Sequence, residues 1–507
     1  MRNKIINFDK IRFISTQKRN KKKKIVLCHG VFDLLHIGHL NHFKDAKTYG
    51  DTLIVSITSD KFVGKGPGRP AFNENQRAEA IAALQIVDFV VINNFPTSIK
   101  IVQHVKPNVY CKGPDYRINK NDITQNIRRE IKEVKKYGGK VVYTKGETFS
   151  SSKILNSNLN LYPKDHREII KSIKKRYSFS ELKASLDKMS GIRVLVIGEL
   201  IIDEYNFCET IGKSGKEPVL VLRDIKTEKY LGGSAAIARH LSSFCNNITL
   251  LTMLGEKQEH LKDIKKNLPK NISLKYIRKQ NSPTIIKKRF LDHVENKKVL
   301  GVYSVNDEIL KPKDEKNFNK ILLKELKKSD LVIVSDYGHG FISDKSAKII
   351  SRNSKFLALN AQINASNVSH HSMRKYKNID CLIINDREIR HELRDQSNKI
   401  ENLVKKLSSE QKIKKLIVTK GSEGSLAYDK TSKKFYSCPA FSQSAVDKIG
   451  AGDTMLSIIA LCLKLKLSNK LSLMVSSLAA AESVKTLGNK TSINKTQILK
   501  TLDHLLK

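Results

Sequence analysis

Two series of short apolar runs alternating with helical stretches, broken once, set the strongest limit on the fold. In the first, "KIVLC" (24–28) leads into a histidine-bearing turn and a helix through "FKDAKTYG" (43–50). "DTLIVSITSD" (51–60) is a second strand, "NENQRAEAIAAL" (73–84) a helix and "VDFVVI" (87–92) a third strand. "TSIKIVQHV", "NVYCKG" and "KVVYT" continue the pattern to residue 144. Such alternation implies a parallel, doubly wound sheet. Residues 159–190 lack a strand pattern and read as a helical linker. A second alternating system starts at "RVLVIGELIID" (193–203) and runs to the end. The expected fold is α/β with two doubly wound domains, 22–158 and 191–507. A chain of 507 residues has room for two or three cores.

Composition narrows the function classes. Seven scattered cysteines include no C-x-x-C pair, which argues for a reducing compartment without disulfides or a zinc site. The longest apolar stretches, such as "SIIALCL", are too short for a membrane span. Lys4, Lys10 and Arg12 do not lead into a signal-peptide core. A soluble cytoplasmic protein without membrane insertion is expected. Lys plus Arg number 93 against 50 acidic residues, a net charge of +43. A surface of that sign can attract polyanions. The lysines are spread along the whole chain, Trp is absent and no nucleic-acid motif occurs, so no specific nucleic-acid partner is expected.

"HGVFDLLHIGHLNHF" (29–43) places four of the fourteen histidines at the first strand-to-helix turn. His36 and His39 fall at the opening turn of the helix, where unpaired N–H groups and the positive pole of the macrodipole suit a phosphate. The pattern G-V-F-D-x-x-H-x-G-H, Gly30 to His39, resembles the H-x-G-H nucleotidyltransferases over residues 22–158. "SDKFVGKGPGRPAFNENQR" (59–77), "CKGPDY" (111–116) and "FSSSKI" (149–154) resemble further motifs of that family in the same order. The resemblance implies that a phosphate oxygen attacks the α-phosphate of a nucleoside triphosphate in line and pyrophosphate leaves. The protein then supplies position and charge rather than a nucleophile. His36 and His39 would act on the α- and β-phosphates, with Gly30, Phe32 and Asp33 in the same motif. Lys47, Lys65, Arg69, Arg77 and Ser150, Ser151 and Ser152 would hold the triphosphate. Lys112 and Asp115 would meet the base or the sugar phosphate. His42 reads as structural or exposed, and the role of His29 stays open.

The second half carries its own signatures. "YLGGSAAIARHL" (230–241) sets Gly232 and Gly233 before a helix. "VDKIGAGDTML" (446–456) sets Gly450, Ala451, Gly452 and Asp453 at another helix start. "LIVTKGSEG" (416–424) and "IINDRE" (383–388) are strands ending in glycines and in N-x-x-E. Together they resemble the ribokinase (PfkB-type) sugar kinases. The resemblance implies an anion hole of backbone N–H groups at the Gly450–Gly452 turn. Asp453 would be the base for the sugar hydroxyl. Asn385 and Glu388 would order Mg2+, partly through water, and Thr419, Gly421 and Gly424 would line ATP. Asp203 would bind acceptor hydroxyls, and Arg289 would sit over the phosphates.

Both halves together resemble the bifunctional heptose-phosphate kinase/adenylyltransferases, which build ADP-heptose for bacterial surface polysaccharide; here the transferase comes first. "VIGELIIDEY" (196–205), "GKSGKEPVLV" (212–221) and "SDYGHG" (335–340) share that likeness. The implied substrates are heptose 7-phosphate, phosphorylated at O1, and a nucleoside triphosphate. ATP serves the kinase, ATP or CTP the transferase, and a homodimer through the kinase half fits the family. The acceptor region departs from the pattern. Relatives carry Asp-Pro-Lys where this chain reads "LNAQINASN" (359–367), so Asn360 and Gln362 replace a carboxylate and a cation, and His339 stands where Lys is common. If this stretch touches the ligand, its amides, including Asn364 and Asn367, suit sugar hydroxyls better than a phosphate. The same folds acting on another sugar, or a basic binding protein with one degenerate half, are the alternatives.

Overall fold

A computed structural model describes residues 2–116, 126–145, 162–364, 367–368, 371–442 and 445–507. Ser150, Ser151 and Ser152 lie outside the described residues, as does the side chain of Asp115. By contacts the chain divides into two compact units, Met1–Pro163 with Thr496–Lys507, and Lys164–Lys495.

The first unit is built on five parallel strands, β1 (Ile25–Gly30), β2 (Thr52–Thr58), β3 (Phe89–Asn93), β4 (Val109–Lys112) and β5 (Lys140–Tyr143), in the order β3-β2-β1-β4-β5. The strand order reverses between β1 and β4, and in open α/β sheets ligands bind outside the carboxyl ends of strands at such a reversal. Strand period two sorts the side chains of β1 to the two faces. Val26 and Cys28 join one buried cluster with Phe43, Val55 and Ile81, whereas Ile25 and Leu27 join another with Ile54, Ile101 and Val105. With both faces covered, β2 is buried along its whole length.

The second unit opens with helices Lys164–Lys174 and Phe179–Asp187, the latter started by a capping box between Ser178 and Glu181. Its main sheet has nine strands, β10-β9-β6-β13-β14-β15-β16-β17-β18. They are β6 (Arg193–Gly198), β9 (Asn247–Gly255), β10 (Ile272–Lys279), β13 (Leu331–Asp336), β14 (Leu357–Ala361), β15 (Cys381–Asn385), β16 (Lys415–Thr419), β17 (Ser425–Asp429) and β18 (Lys434–Cys438). The strands from β10 to β16 run parallel, and β17 and β18 close the edge antiparallel.

A four-stranded sheet, β12-β11-β7-β8, stands apart from the main one. It comprises β7 (Leu200–Lys213), β8 (Leu220–Gly233), β11 (Ile286–Asp292) and β12 (Lys298–Ser304). The first nine residues of β7 are buried, while β8 is exposed or half-buried until its last three residues. Among the described residues no helix is long and apolar enough to cross a membrane.

Two candidate active sites

The histidine turn of the first unit forms as the spacing requires. The helix Ile37–Lys47 starts at His36, whose ring Nδ1 accepts the Gly38 N–H at 3.1 Å, an N-cap made by an imidazole. Three residues on, His39 stacks on His36 with ring centroids 3.9 Å apart, and Phe32 meets its edge at 5.2 Å. Burial, then the charges His36 and Lys65 would add, push His39 down to about 3. Burial and Lys65 lower His36 in the same direction. Lys65, pushed down to about 8 by burial and by Arg69, is the cation whose charge reaches both rings. Two neutral imidazoles at a helix start, with a lysine beside them, can donate to a polyphosphate, and a bound anion would favour their protonated forms.

Several other cations expected to touch the triphosphate are committed elsewhere. Lys47 ends the same helix, about 12 Å along the axis from His39 at 1.5 Å per residue. Its ammonium donates to Asp88 at 2.5 Å and to the Asp51 carbonyl at 2.8 Å. Asp88 in turn accepts the N–H of Leu53 in β2, so the pair ties the helix to the amino end of the sheet, away from the histidines. Arg77 is buried and donates to the carbonyls of Val31, Thr58 and Phe72 and to Asp60. It staples loops together because its guanidinium offers donors in several directions at once.

Asp33 accepts Arg69 Nε at 2.7 Å, both side chains buried, and the Ala71 N–H at 2.6 Å, which makes both side chains a brace of the loop. Gly30 and Phe32 belong together. Phe32 adopts φ +51°, and its ring lies where a Cβ on Gly30 would meet it at 2.8 Å. The Phe32 ring is therefore core, packed on Phe43, and any phosphate contact there falls to the backbone.

Lys112 closes β4 beside the switch point but points into protein. Its ammonium pairs with Glu130 at 2.9 Å, with side-chain exposures of 6% and 8%, and lies over the rings of Tyr110 and Tyr116. His29 bonds Ser56 at 3.1 Å, and His42 bonds Thr144 at 2.9 Å. Burial pushes each of these imidazoles down to about 4, and both serve the interior.

The second unit holds a cavity of about 720 Å³. Of the kinase residues singled out from the sequence, Asp203, Gly233, Arg289, Asn360, Gln362, Asn385, Glu388, Thr419, Gly421, Gly424, Gly450, Ala451, Gly452 and Asp453 line it, whereas Gly232, His339, Asn364 and Asn367 do not. The lining residues come from β7, β8, β11, β14 and the residue after it, β15 and the helix Asp386–Leu393 that follows, the end of β16 and its turn into β17, and the start of the helix Ala451–Lys464, which Gly450 caps at φ +85°. Asp453 sits in the first turn, where the dipole and free N–H groups favour negative charge. Burial, with Asp203 and Glu388 nearby, nevertheless raises its carboxyl to about 7. Arg289 binds Asp203 at 2.6 Å, and Asn489 donates to the other Asp203 oxygen at 3.4 Å. Gly232 acts by lacking a side chain, since a Cβ there would stand 2.1 Å from Asp203 Oδ2.

The amide-rich stretch divides. Asn360 donates to the Ile383 carbonyl at 2.9 Å and Gln362 borders the cavity, whereas Asn364 and Asn367 donate to the Tyr337 carbonyl at 3.0 and 2.7 Å. The latter two hold a turn and do not border the cavity. His339 bonds Asp307 at 2.6 Å, so it too is structural. Asn385 and Glu388 satisfy one another as a capping box, at 2.8 and 2.9 Å, and Glu388 also accepts the Ile363 N–H at 3.3 Å. Among the described residues no group of three or more His, Cys, Asp or Glu can hold a metal. Asn385 and Glu388 border the cavity, and the chemistry of their oxygens suits a magnesium ion held through its waters.

Among the cavity residues to which the sequence assigned no role are Tyr337, Lys287 and Lys298. Tyr337 donates to both oxygens of Asp453, at 2.9 and 3.0 Å. Lys287 lies over the rings of Tyr303 and Tyr337, and Lys298 pairs with Asp447 at 2.6 Å. Lys287 was within reach of the strand pattern, because it stands two residues before Arg289 on the same face. Tyr337 lies in the quoted "SDYGHG" stretch, but its role, like that of Lys298, is set by contacts across the fold.

Comparison with known proteins agrees with this division. Residues 192–496 match the pfkB family carbohydrate kinases and residues 27–157 the cytidylyltransferase-like family. "Bifunctional protein HldE" of Aliarcobacter butzleri is 39% identical over 138 residues, 27% of this chain and 29% of that protein. Its counterpart in Geotalea uraniireducens is 38% identical over 140 residues, 27% of each. The chain thus matches less than a third of the length of these relatives. Phosphofructokinase-2 from Escherichia coli, crystallised with potassium, aligns with a TM-score of 0.50 at 16% identity, over 63% of this chain and all of that one, a likeness of fold. With a family match over more than half of its length, the chain belongs to the pfkB family of carbohydrate kinases and carries a cytidylyltransferase-like domain ahead of the kinase.

Proposed function

We propose that the chain makes a nucleotide-activated sugar in two steps, phosphorylating a sugar in the second unit and transferring a nucleotidyl group to a sugar 1-phosphate in the first. The observation that carries the kinase reading is the single cavity that gathers Asp453, the Gly450–Gly452 turn, the Asp203–Arg289 pair and Glu388. Asp453 takes the proton of the acceptor hydroxyl as that oxygen attacks the γ-phosphorus of ATP, and the bond to the β-phosphate oxygen breaks to leave ADP. N–H groups at the helix start and the Lys287 ammonium offset the charge on the moving phosphoryl group. Asn385 and Glu388 would hold magnesium through its waters, and the ion, when bound, neutralises phosphate charge.

In the first unit a phosphate oxygen attacks the α-phosphorus, and pyrophosphate leaves. His36, His39 and Lys65 offset the charge that builds. The preferred acceptor is heptose 7-phosphate, phosphorylated at O1, with ATP as nucleotide donor for both halves. Asn360 and Gln362 at the cavity wall support the second reading, a sugar with different polar groups, and CTP is the second donor. A product for surface polysaccharide and a cytoplasmic location accompany the reading, supported by seven buried, unbridged cysteines. The exposed apolar residues Ile211, Leu220, Val221, Ile225, Leu300 and Val302 on the four-stranded sheet support a homodimer through the kinase half.

The test separates the two chemistries. Asp453→Asn is expected to lose sugar phosphorylation by about 10²–10⁴-fold while keeping transfer to a supplied sugar 1-phosphate. His36→Ala with His39→Ala is expected to do the reverse. Mass spectrometry of products from a panel of heptoses, hexoses, ATP and CTP identifies the substrates. Loss of both activities from either folded variant would refute two independent sites.

A further inference from the structure

The group touching the kinase base is a phenol inside the "SDYGHG" stretch, to which the sequence assigned no role. Tyr337 follows β13 and is 4% exposed. Its N–H donates to Glu199 at 2.9 Å, and its carbonyl accepts amides from Asn364 and Asn367 at 3.0 and 2.7 Å. Its backbone is thus fixed on both sides before any ligand arrives. From that anchor the hydroxyl lies 2.9 and 3.0 Å from the two Asp453 oxygens. Burial and the Asp453 charge keep the phenol protonated, far above its ordinary range, so it remains a donor.

We propose that Tyr337 is a positioning residue for phosphoryl transfer: its hydroxyl orients the Asp453 carboxylate toward the acceptor and stabilises the ionised form that takes the proton. The inference rests on the reading of Asp453 as the base. Its logic is electrostatic. Burial of Asp453 and the nearby carboxylates of Asp203 and Glu388 favour the neutral acid, which cannot accept a proton. The Lys287 ammonium from β11 and the Tyr337 hydroxyl oppose them, and Arg289 is taken up by Asp203. Tyr337 is the neutral member of this set, so it favours the carboxylate by donation without adding a charge to the cavity. In the reaction the acceptor proton moves to Asp453, the sugar oxygen bonds to the γ-phosphorus, ADP leaves, and Tyr337 keeps its own proton.

The experiment uses the full chain carrying aspartate enriched with carbon-13 at the side-chain carboxyl, titrated by NMR. The Asp453 resonance is identified as the one missing in Asp453→Asn. In Tyr337→Phe its midpoint is expected to move to higher pH. With heptose 7-phosphate and ATP, the acid limb of the kinase profile should follow. At pH 6.5 kcat should fall about tenfold, as for loss of a hydrogen bond to a charged group, and the loss should shrink toward pH 8.5 with KM for ATP unchanged. Tyr337→3-fluorotyrosine keeps the hydroxyl and the packing and strengthens the donor, so its midpoint should move the other way. An Asp453 midpoint that stays put in both variants, or an equal loss of kcat at every pH, overturns the positioning role. A fully active Asp453→Asn enzyme overturns the base assignment itself.

Discussion

Replacing Glu130 by glutamine distinguishes a lysine that binds nucleotide from one that holds the first unit together. Lys112 and Glu130 meet at 2.9 Å with almost no solvent contact, and Tyr110 donates to the same carboxylate at 3.2 Å. The pair holds the Glu130 carboxyl down at about 2, despite its burial. A fall from an ordinary 4.5 to about 2 corresponds to roughly 3 kcal/mol at about 1.4 kcal/mol per pH unit. Leaving a buried charge without its partner costs about 3–5 kcal/mol, in the same range. At about 2–4 °C per kcal/mol for a unit of this size, Glu130→Gln should lower its melting temperature by roughly 6–12 °C.

Differential scanning calorimetry of the full chain reads the shift. Because the folded carboxyl titrates below the unfolded one, its stabilisation is present above pH 4.5 and is lost as pH falls from there toward 2. The gap between wild type and variant should close in that window. Lys112→Met combined with Glu130→Leu should recover most of the stability, since no buried charge is left alone. The double variant should also keep nucleotidyl transfer. A shift below 2 °C at pH 7, or a stable double variant that has lost transfer, would refute the brace and restore Lys112 to the nucleotide.

Two further outcomes follow from the second unit. Gly232→Ala sets a methyl group against Asp203, which Arg289 and Asn489 hold in place, so KM for the sugar should rise at least tenfold with nucleotidyl transfer unchanged; steady-state kinetics of both reactions checks it. Leu220→Glu with Leu300→Glu puts charge on the exposed face of the four-stranded sheet; on the proposed dimer, sedimentation is expected to show the unaltered chain as dimers and the variant as monomers.

How much was legible in the sequence follows from the range of the signals. The alternation of runs such as "DTLIVSITSD" and "NENQRAEAIAAL" is local, and it sufficed for both parallel sheets. The strands of the four-stranded sheet were hidden because "LVLRDIKTEKYLGG" mixes charge with apolar residues on a strand exposed along most of its length. Glycine turns at helix starts were legible for the same local reason, and the Gly450–Gly452 turn lines the kinase cavity, whereas nothing local showed that His339, Asn364 and Asn367 stand outside it.

Side-chain identity alone did not say where a cation ends. Lys47, Arg77 and Lys112 have the right charge for a triphosphate, but each is claimed by a carboxylate far away in the chain, at positions 88, 60 and 130. The sequence by itself determined the order of strands and helices, the turns and the groups able to do chemistry, because those depend on neighbours in the chain. Only the tertiary structure decided which charges are spent on one another and which face a cavity. It also set Tyr337 on Asp453 across 116 residues, because burial and pairing are properties of the packed fold.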